Sequence, residues 1–209
     1  MKFKFLALVI FAACLVANAA NILVNGNFES QPKWGLGIAR DSGYTLFTGT
    51  DIPGWVVQSG HAVTVHKNTV YPVISGVYGV NMDGEGYNSH NANFYQDFAS
   101  TNWQAYRFEF DWGTWQSTSC RLDVSITDVV TSSVLYQGNF AWSSGTRHEI
   151  ATFVGTGNTL RLRVRENPES LVNDNGFIVD NFSVEIVPEP TTTLMFILAC
   201  ACFIFLHRK

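Results

Sequence analysis

From residue 106 to residue 112 the chain reads Tyr-Arg-Phe-Glu-Phe-Asp-Trp, an unbroken alternation of aromatic ring and charge. In an extended backbone successive side chains point to opposite faces, so Tyr106, Phe108, Phe110 and Trp112 share one side and Arg107, Glu109 and Asp111 the other. Helical spacing would scatter the same rings around a cylinder and leave no face to bury. The segment is therefore a strand with one face in a core and one in water. Leu122, Val124 and Ile126 repeat the pattern, as do Leu160, Leu162 and Val164 against Arg161, Arg163 and Arg165. Further strands are expected at 22–24, 62–65, 77–82, 94–98, 134–136, 149–153 and 177–186. No stretch between Asn21 and Val187 sustains apolar residues at helical spacing.

Between these runs lie turn clusters such as Asp51-Ile52-Pro53-Gly54, Asp83-Gly84-Glu85-Gly86, Ser143-Ser144-Gly145 and Gly155-Thr156-Gly157-Asn158. Glycine and asparagine supply the left-handed backbone that tight turns need. About nine or ten short strands at this spacing predict one all-β domain, an antiparallel β-sandwich of jelly-roll type, over residues 20–187.

Both ends of the chain differ from this middle. Lys2 and Lys4 precede an apolar run at 5–16, and Ala17-Asn18-Ala19 is a small-residue cleavage site, so residues 1–19 are expected to be a signal peptide cut after Ala19. About twelve apolar residues at roughly 1.5 Å each fall short of a hydrocarbon core of about 30 Å. Lipoprotein processing at Cys14 is the alternative, although Phe11 stands where a smaller aliphatic residue is usual. At the other end Pro188-Glu189-Pro190 stops the last strand, because neither proline offers an N–H to a ladder. An apolar stretch at 194–206 then leads to His207-Arg208-Lys209. A short membrane helix is expected over 192–206, with Arg208 and Lys209 on the cytoplasmic side.

Pro188-Glu189-Pro190, the short apolar helix and the basic end, in a chain with a signal peptide, resemble the PEP-CTERM sorting signal over 188–209. That resemblance implies an exosortase-type membrane enzyme as processing partner, and delivery to the cell envelope, cell surface or extracellular matrix with at least transient membrane anchoring. A plain C-terminal anchor gives nearly the same address. The chain closes on two firm cations where longer arginine runs are common in such tails. Of four cysteines, Cys14, Cys200 and Cys202 fall in these terminal segments, which leaves Cys120 without an internal disulfide partner. The formal charge of −4 doubles once Lys2, Lys4, Arg208 and Lys209 are set aside. Such a domain repels phosphate backbones, so no nucleic acid is expected as partner.

A second resemblance runs through the domain. Asn25-Gly26-Asn27-Phe28-Glu29 after an aliphatic start, the Ile52-Pro53-Gly54-Trp55 turn, Val80 to Gly84, Tyr95-Gln96-Asp97-Phe98, the aromatic strand and the closing Phe177-Ile178-Val179-Asp180-Asn181-Phe182 occur in the order found in galactose-binding-like jelly rolls. That family includes many carbohydrate-binding modules. It implies that the first and last strands are neighbours, and that a structural calcium is held by the Glu29 and Asp180 carboxylates with main-chain carbonyls, hard oxygen donors of the right type. The plain alternative is a solvated Glu29 and a locally bonded Asp180. Asn81, Asp83 and Glu85 lack the full calcium-loop spacing and are expected to form a turn.

Six tryptophans invite a sugar-stacking role. Trp112 is in phase with Phe108 and Phe110, and Trp55 follows the family turn, so both are expected in the core. Trp115, Trp142 and Tyr87 stand in turn-rich segments and are the candidate platforms for polysaccharide. His61, His66, His90 and His148 lack metal spacing, no serine occupies a GxSxG elbow, and Cys120 lies in no recognisable nucleophile motif, so no enzyme is expected. Arg161, Arg163 and Arg165 form a cationic strand face suited to acidic polysaccharide, and pairing with Glu109 and Asp111 on a neighbouring strand is the expected alternative. The function expected is a non-catalytic module contacting extracellular polysaccharide; a purely structural envelope protein and a glycan hydrolase built on paired carboxylates are the other classes.

Overall fold

The computed structural model describes residues 20–30, 44–69, 72–82, 92–114, 121–166 and 176–188. These carry eleven strands: β1 (Tyr44–Phe47), β2 (Val56–Val57), β3 (Val63–Lys67), β4 (Tyr78–Asn81), β5 (Asn93–Ala99), β6 (Ala105–Thr114), β7 (Arg121–Asp128), β8 (Val134–Ala141), β9 (Arg147–Val154), β10 (Thr159–Glu166) and β11 (Phe177–Ile186). They form a six-stranded sheet in the order β1-β3-β4-β11-β6-β9 and a five-stranded sheet in the order β2-β5-β10-β7-β8. Every pairing is antiparallel. The all-β, two-sheet jelly roll expected from the alternation is the fold.

The ring face of β6 is the floor of the core, with Tyr106, Phe108, Phe110 and Trp112 all buried. The opposing sheet contributes Phe94 and Phe98 from β5, Leu160, Leu162 and Val164 from β10, and Leu122, Val124 and Ile126 from β7. Alternation places each of these inward.

Register between β6 and β11 slips once, between Asp180 and Ser183. The extra residue makes a β-bulge, and Asn181 takes a left-handed backbone (φ 53°) that asparagine tolerates better than most side chains. The bulge turns Phe182 into the core, where its ring lies 5.2 Å from Phe110, 5.4 Å from Trp55 and 6.0 Å from Phe28.

Residues 22–24 are not a strand, contrary to expectation. Asn21 Nδ2 donates to the Phe182 carbonyl, while Asn21 Oδ1 accepts from the Leu23 and Val184 amides. The Gln96 side chain meets both the N–H and the carbonyl of Val24, at 2.7 and 2.9 Å. Side-chain amides thus replace a ladder for this segment. The Gly26 carbonyl accepts from the Phe182 amide, and a Cβ on Gly26 would lie 2.0 Å from the Phe182 oxygen, so only glycine fits there. β1 and β2, four and two residues long, are too short for periodicity to reveal.

Phe182→Ala removes the ring that touches four other buried aromatics and is expected to cost about 3–5 kcal/mol in denaturant unfolding. Trp142→Ala, on a turn outside this cluster, is expected to change stability by no more than about 0.5 kcal/mol.

Candidate functional site

The five-stranded sheet turns a row of polar and charged side chains away from the core. β10 lies between β5 and β7, so Arg161 faces Asp97 and Thr127, Arg163 faces Tyr95 and Ser125, and Arg165 faces Asn93 and Asp123. Arg161 grips Asp97 with two parallel bonds, Nε to Oδ1 at 2.7 Å and Nη2 to Oδ2 at 2.8 Å, and lies over the Tyr95 ring at 3.8 Å. Arg165 meets Asp123 Oδ2 at 2.9–3.1 Å. The expected pairing with Glu109 and Asp111 does not occur, because those residues belong to the other sheet, where Glu109 pairs with Arg107 and Asp111 with His148.

Arg163 differs from its neighbours. Its Nε is buried with no hydrogen-bond partner, and its pKa is lowered by burial first and then by the charges of Arg161 and Arg165. It lines a depression of about 250 Å³ with Arg161, Ser125, Thr127, Ser132 and Asp128. Asp128 is not a free base there. Hydrogen bonds from the Thr156 hydroxyl, then the Asn158 side chain and the Thr131 and Val130 amides, hold its pKa well below the usual carboxylate range.

Of the three expected aromatic platforms, Trp142 is the one that falls among the described residues. Trp142 is exposed at the β8–β9 turn, the opposite end of the sheet from Asp128. Trp115 and Tyr87 fall outside the described residues, as do Asp83 and Glu85. Trp55 and Trp112 are buried as expected. Among the described residues the tryptophan most open to solvent is Trp103, 80% exposed in the β5–β6 turn, a position that its Thr-Asn-Trp-Gln setting between two strands marks as a turn.

On the far side of the sandwich, Glu29 and Asp180 converge on the segment leading into β4. Glu29 Oε1 accepts from the Val77 and Tyr78 amides at 2.9 and 3.2 Å. Asp180 Oδ2 accepts from the Ser75 amide and hydroxyl, both at 3.1 Å, and Oδ1 from the Asn181 amide at 2.7 Å. Gly76 sits between them at φ 64°, where a Cβ would lie 2.1 Å from Glu29 Oε1. Burial raises the Asp180 pKa to about 6 against the pull of its hydrogen bonds, and the nearby Glu29 charge adds to the rise. Among the described residues no group of three or more His, Cys, Asp and Glu side chains is placed to hold a metal ion.

Pro188 closes the described chain, whereas Ala19, Glu189, Pro190, Arg208, Lys209 and the expected helix at 192–206 lie outside it. Among the described residues no helix is long and apolar enough to cross a membrane.

This arrangement is a two-sheet antiparallel jelly roll, a fold it shares with solved carbohydrate-binding modules. The chain resembles the structure of a family 16 carbohydrate-binding module, with 16% identity and a TM-score of 0.51 over 78% of this chain and 99% of that one. The tandem CBM22 domains of Paenibacillus barcinonensis Xyn10C match at 10% identity and TM-score 0.50, over 83% of this chain and 48% of theirs. An arabinose-bound GH51 α-L-arabinofuranosidase matches at 12% and 0.53, over 80% of this chain and 26% of that one. At such identities the likeness is one of fold. The particular family follows from sequence: residues 21–185 match the family described as "Protein of unknown function (DUF642)", and the chain belongs to it. Comparison with curated proteins yields no match.

The Asp180 carboxyl makes stability depend on pH. Its folded pKa, about 6, lies above the ordinary aspartate value of about 3.9, so the folded state holds a proton that the unfolded chain releases. The resulting stabilisation, on the order of 3 kcal/mol, is complete below about pH 4 and is lost as pH rises through about 6. Denaturant unfolding of metal-free protein across this range is expected to show the decline, and Asp180→Asn to flatten it.

Proposed function

We propose that the protein is an exported, non-catalytic module that holds acidic polysaccharide on the open face of its five-stranded sheet. The observation that carries this reading is Arg163, a partly buried guanidinium whose Nε has no acceptor, set between two arginines that each have one. A desolvated guanidinium with an unpaired N–H is costly, and a uronate carboxylate offers a planar, bidentate match for it. Ser125, Thr127 and Ser132 stand round the same depression as donors and acceptors for ring hydroxyls. The fold shared with carbohydrate-binding modules supports the same class of ligand.

Residues 1–19 direct export in this reading, and the 188–209 tail delivers the domain to an exosortase-type enzyme at the membrane. Calcium is proposed as a structural ion at Glu29 and Asp180. The chemistry suits it, since two carboxylates approach closely enough for one to raise the pKa of the other, and a bound cation removes that repulsion.

Affinity electrophoresis of the protein in polygalacturonate and in neutral β-galactan tests the ligand. Retardation is expected in the acidic polymer, and Arg163→Ala is expected to weaken it about tenfold or more, the loss of a charged hydrogen bond. Equal retardation in both gels, or binding indifferent to Arg163, defeats the acidic-glycan assignment; Trp115→Ala and Trp142→Ala report separately on the aromatic platforms. Chelation is expected to lower the melting temperature, and Asp180→Ala to abolish that sensitivity. A melting curve unmoved by chelator removes calcium from the account.

A further inference from the structure

One end of the sandwich is built unlike the rest of its surface. The β5–β6, β7–β8 and β9–β10 turns meet there with the close of β11, as the register of Ala105 with Val154, Leu160 with Asp128, and Ile186 with Tyr106 requires. Hydrogen bonds knit these pieces into one rigid surface. The Trp103 amide donates to the Gly155 carbonyl, the Ser100 amide to Asn158, the Val129 amide to Thr159, and Gln104 Nε2 to the Val187 carbonyl.

The tips of this surface are apolar. Trp103 is 80% and Val130 72% exposed, and Val134, Val154 and Ile186 are also open to solvent. Trp103 stands there at φ 62°, an uncommon backbone state for a large side chain, which the turn imposes while presenting the indole outward. No Asp, Glu, Lys, Arg or His occurs at 99–104, 129–133, 155–158 or 187–188. Elsewhere the two open sheet faces are laced with ion pairs. An uncharged, hydroxyl-bearing rim around valine, isoleucine and tryptophan tips matches the chemistry of a membrane interface, where an indole is favoured at headgroup level.

The chain itself names the occupant. Val187 is held at this end by the hydrogen bond that its N–H donates to the Ala105 carbonyl, and the apolar run at 194–206 begins only a few residues beyond it. Even fully extended, that spacer spans no more than about 20–25 Å. The first described residues come to the same end, where the Ile22 amide meets the Val184 carbonyl.

We propose that this end, whose turns at 99–104, 129–133 and 155–158 carry no charge and present Trp103 and Val130 at their tips, is a lipid-contact surface that seats the domain on the bilayer holding its C-terminal tail. The inference rests on the membrane reading of 192–206. Contact is by shallow apolar insertion, so it is indifferent to salt and to the fraction of anionic lipid.

Neither the tail nor the signal contains tryptophan, so quenching of intrinsic tryptophan emission by brominated lipid reports on the domain alone. The full chain is reconstituted into vesicles of phosphatidylcholine with and without phosphatidylglycerol, and flotation is scored alongside quenching. Expected are flotation, quenching by lipid brominated near the headgroup, loss of that component in Trp103→Phe, and its loss in Val130→Asp although the protein still floats. Flotation with no bromolipid quenching, or quenching unchanged in both variants, overturns the contact surface while sparing the tail. Failure to float overturns both.

Discussion

Phe182 is the ring on which the sandwich closes. It touches Phe28 from the opening loop, Trp55 from the turn before β2, and Phe108 and Phe110 from the aromatic strand. Phe28 and Trp55 in turn reach Phe94 in the opposite sheet. One side chain therefore joins the two ends of the domain and, through its neighbours, the two layers. It points inward because β11 is bulged just before it. The same extra residue sets Asp180 on the outer surface of the sheet but beneath the 75–78 segment, so core packing and the buried carboxylate are two results of a single backbone irregularity.

The two open faces are organised by charge in different ways. On the six-stranded sheet a chain of polar contacts runs from Ser75 through Asn181 and Asp111 to His148, and most of its members satisfy one another. On the five-stranded sheet the pairs Arg161–Asp97 and Arg165–Asp123 add little to stability, as exposed ion pairs do, but they fix two guanidinium groups on either side of a third. Arg163 is left with its charge penalised by burial and by both neighbours. Carboxylates supplied by β5 and β7 are spent on the outer arginines, and the central one faces the open depression.

Period-two alternation made the central strands legible, since a face of four aromatics against three charges has no helical solution. It failed where side chains imitate backbone: Asn21 and Gln96 hold 22–24 in place without a ladder, and no pattern in the sequence distinguishes that from pairing. The partners of Arg161 and Arg165 were misread because alternation fixes which face a residue takes but not which sheet its strand joins. Glu29 and Asp180 came together through family likeness rather than spacing, and the Ser75–Tyr78 segment that both bind carried no readable signal. The exposure of Trp103 has one local signal, the Thr-Asn-Trp-Gln turn between β5 and β6, which composition alone does not separate from a core indole.

That both ends of the domain leave from one pole sets how copies stand relative to whatever tethers them. In the proposed tethered state each sandwich, held by that pole, stands with its arginine-lined sheet facing sideways across the surface rather than away from it. On the proposed glycan reading, a long polymer lying between such neighbours meets several shallow depressions in succession. Weak individual contacts multiply through local concentration, so the density of tethered copies, more than the strength of any one depression, governs retention.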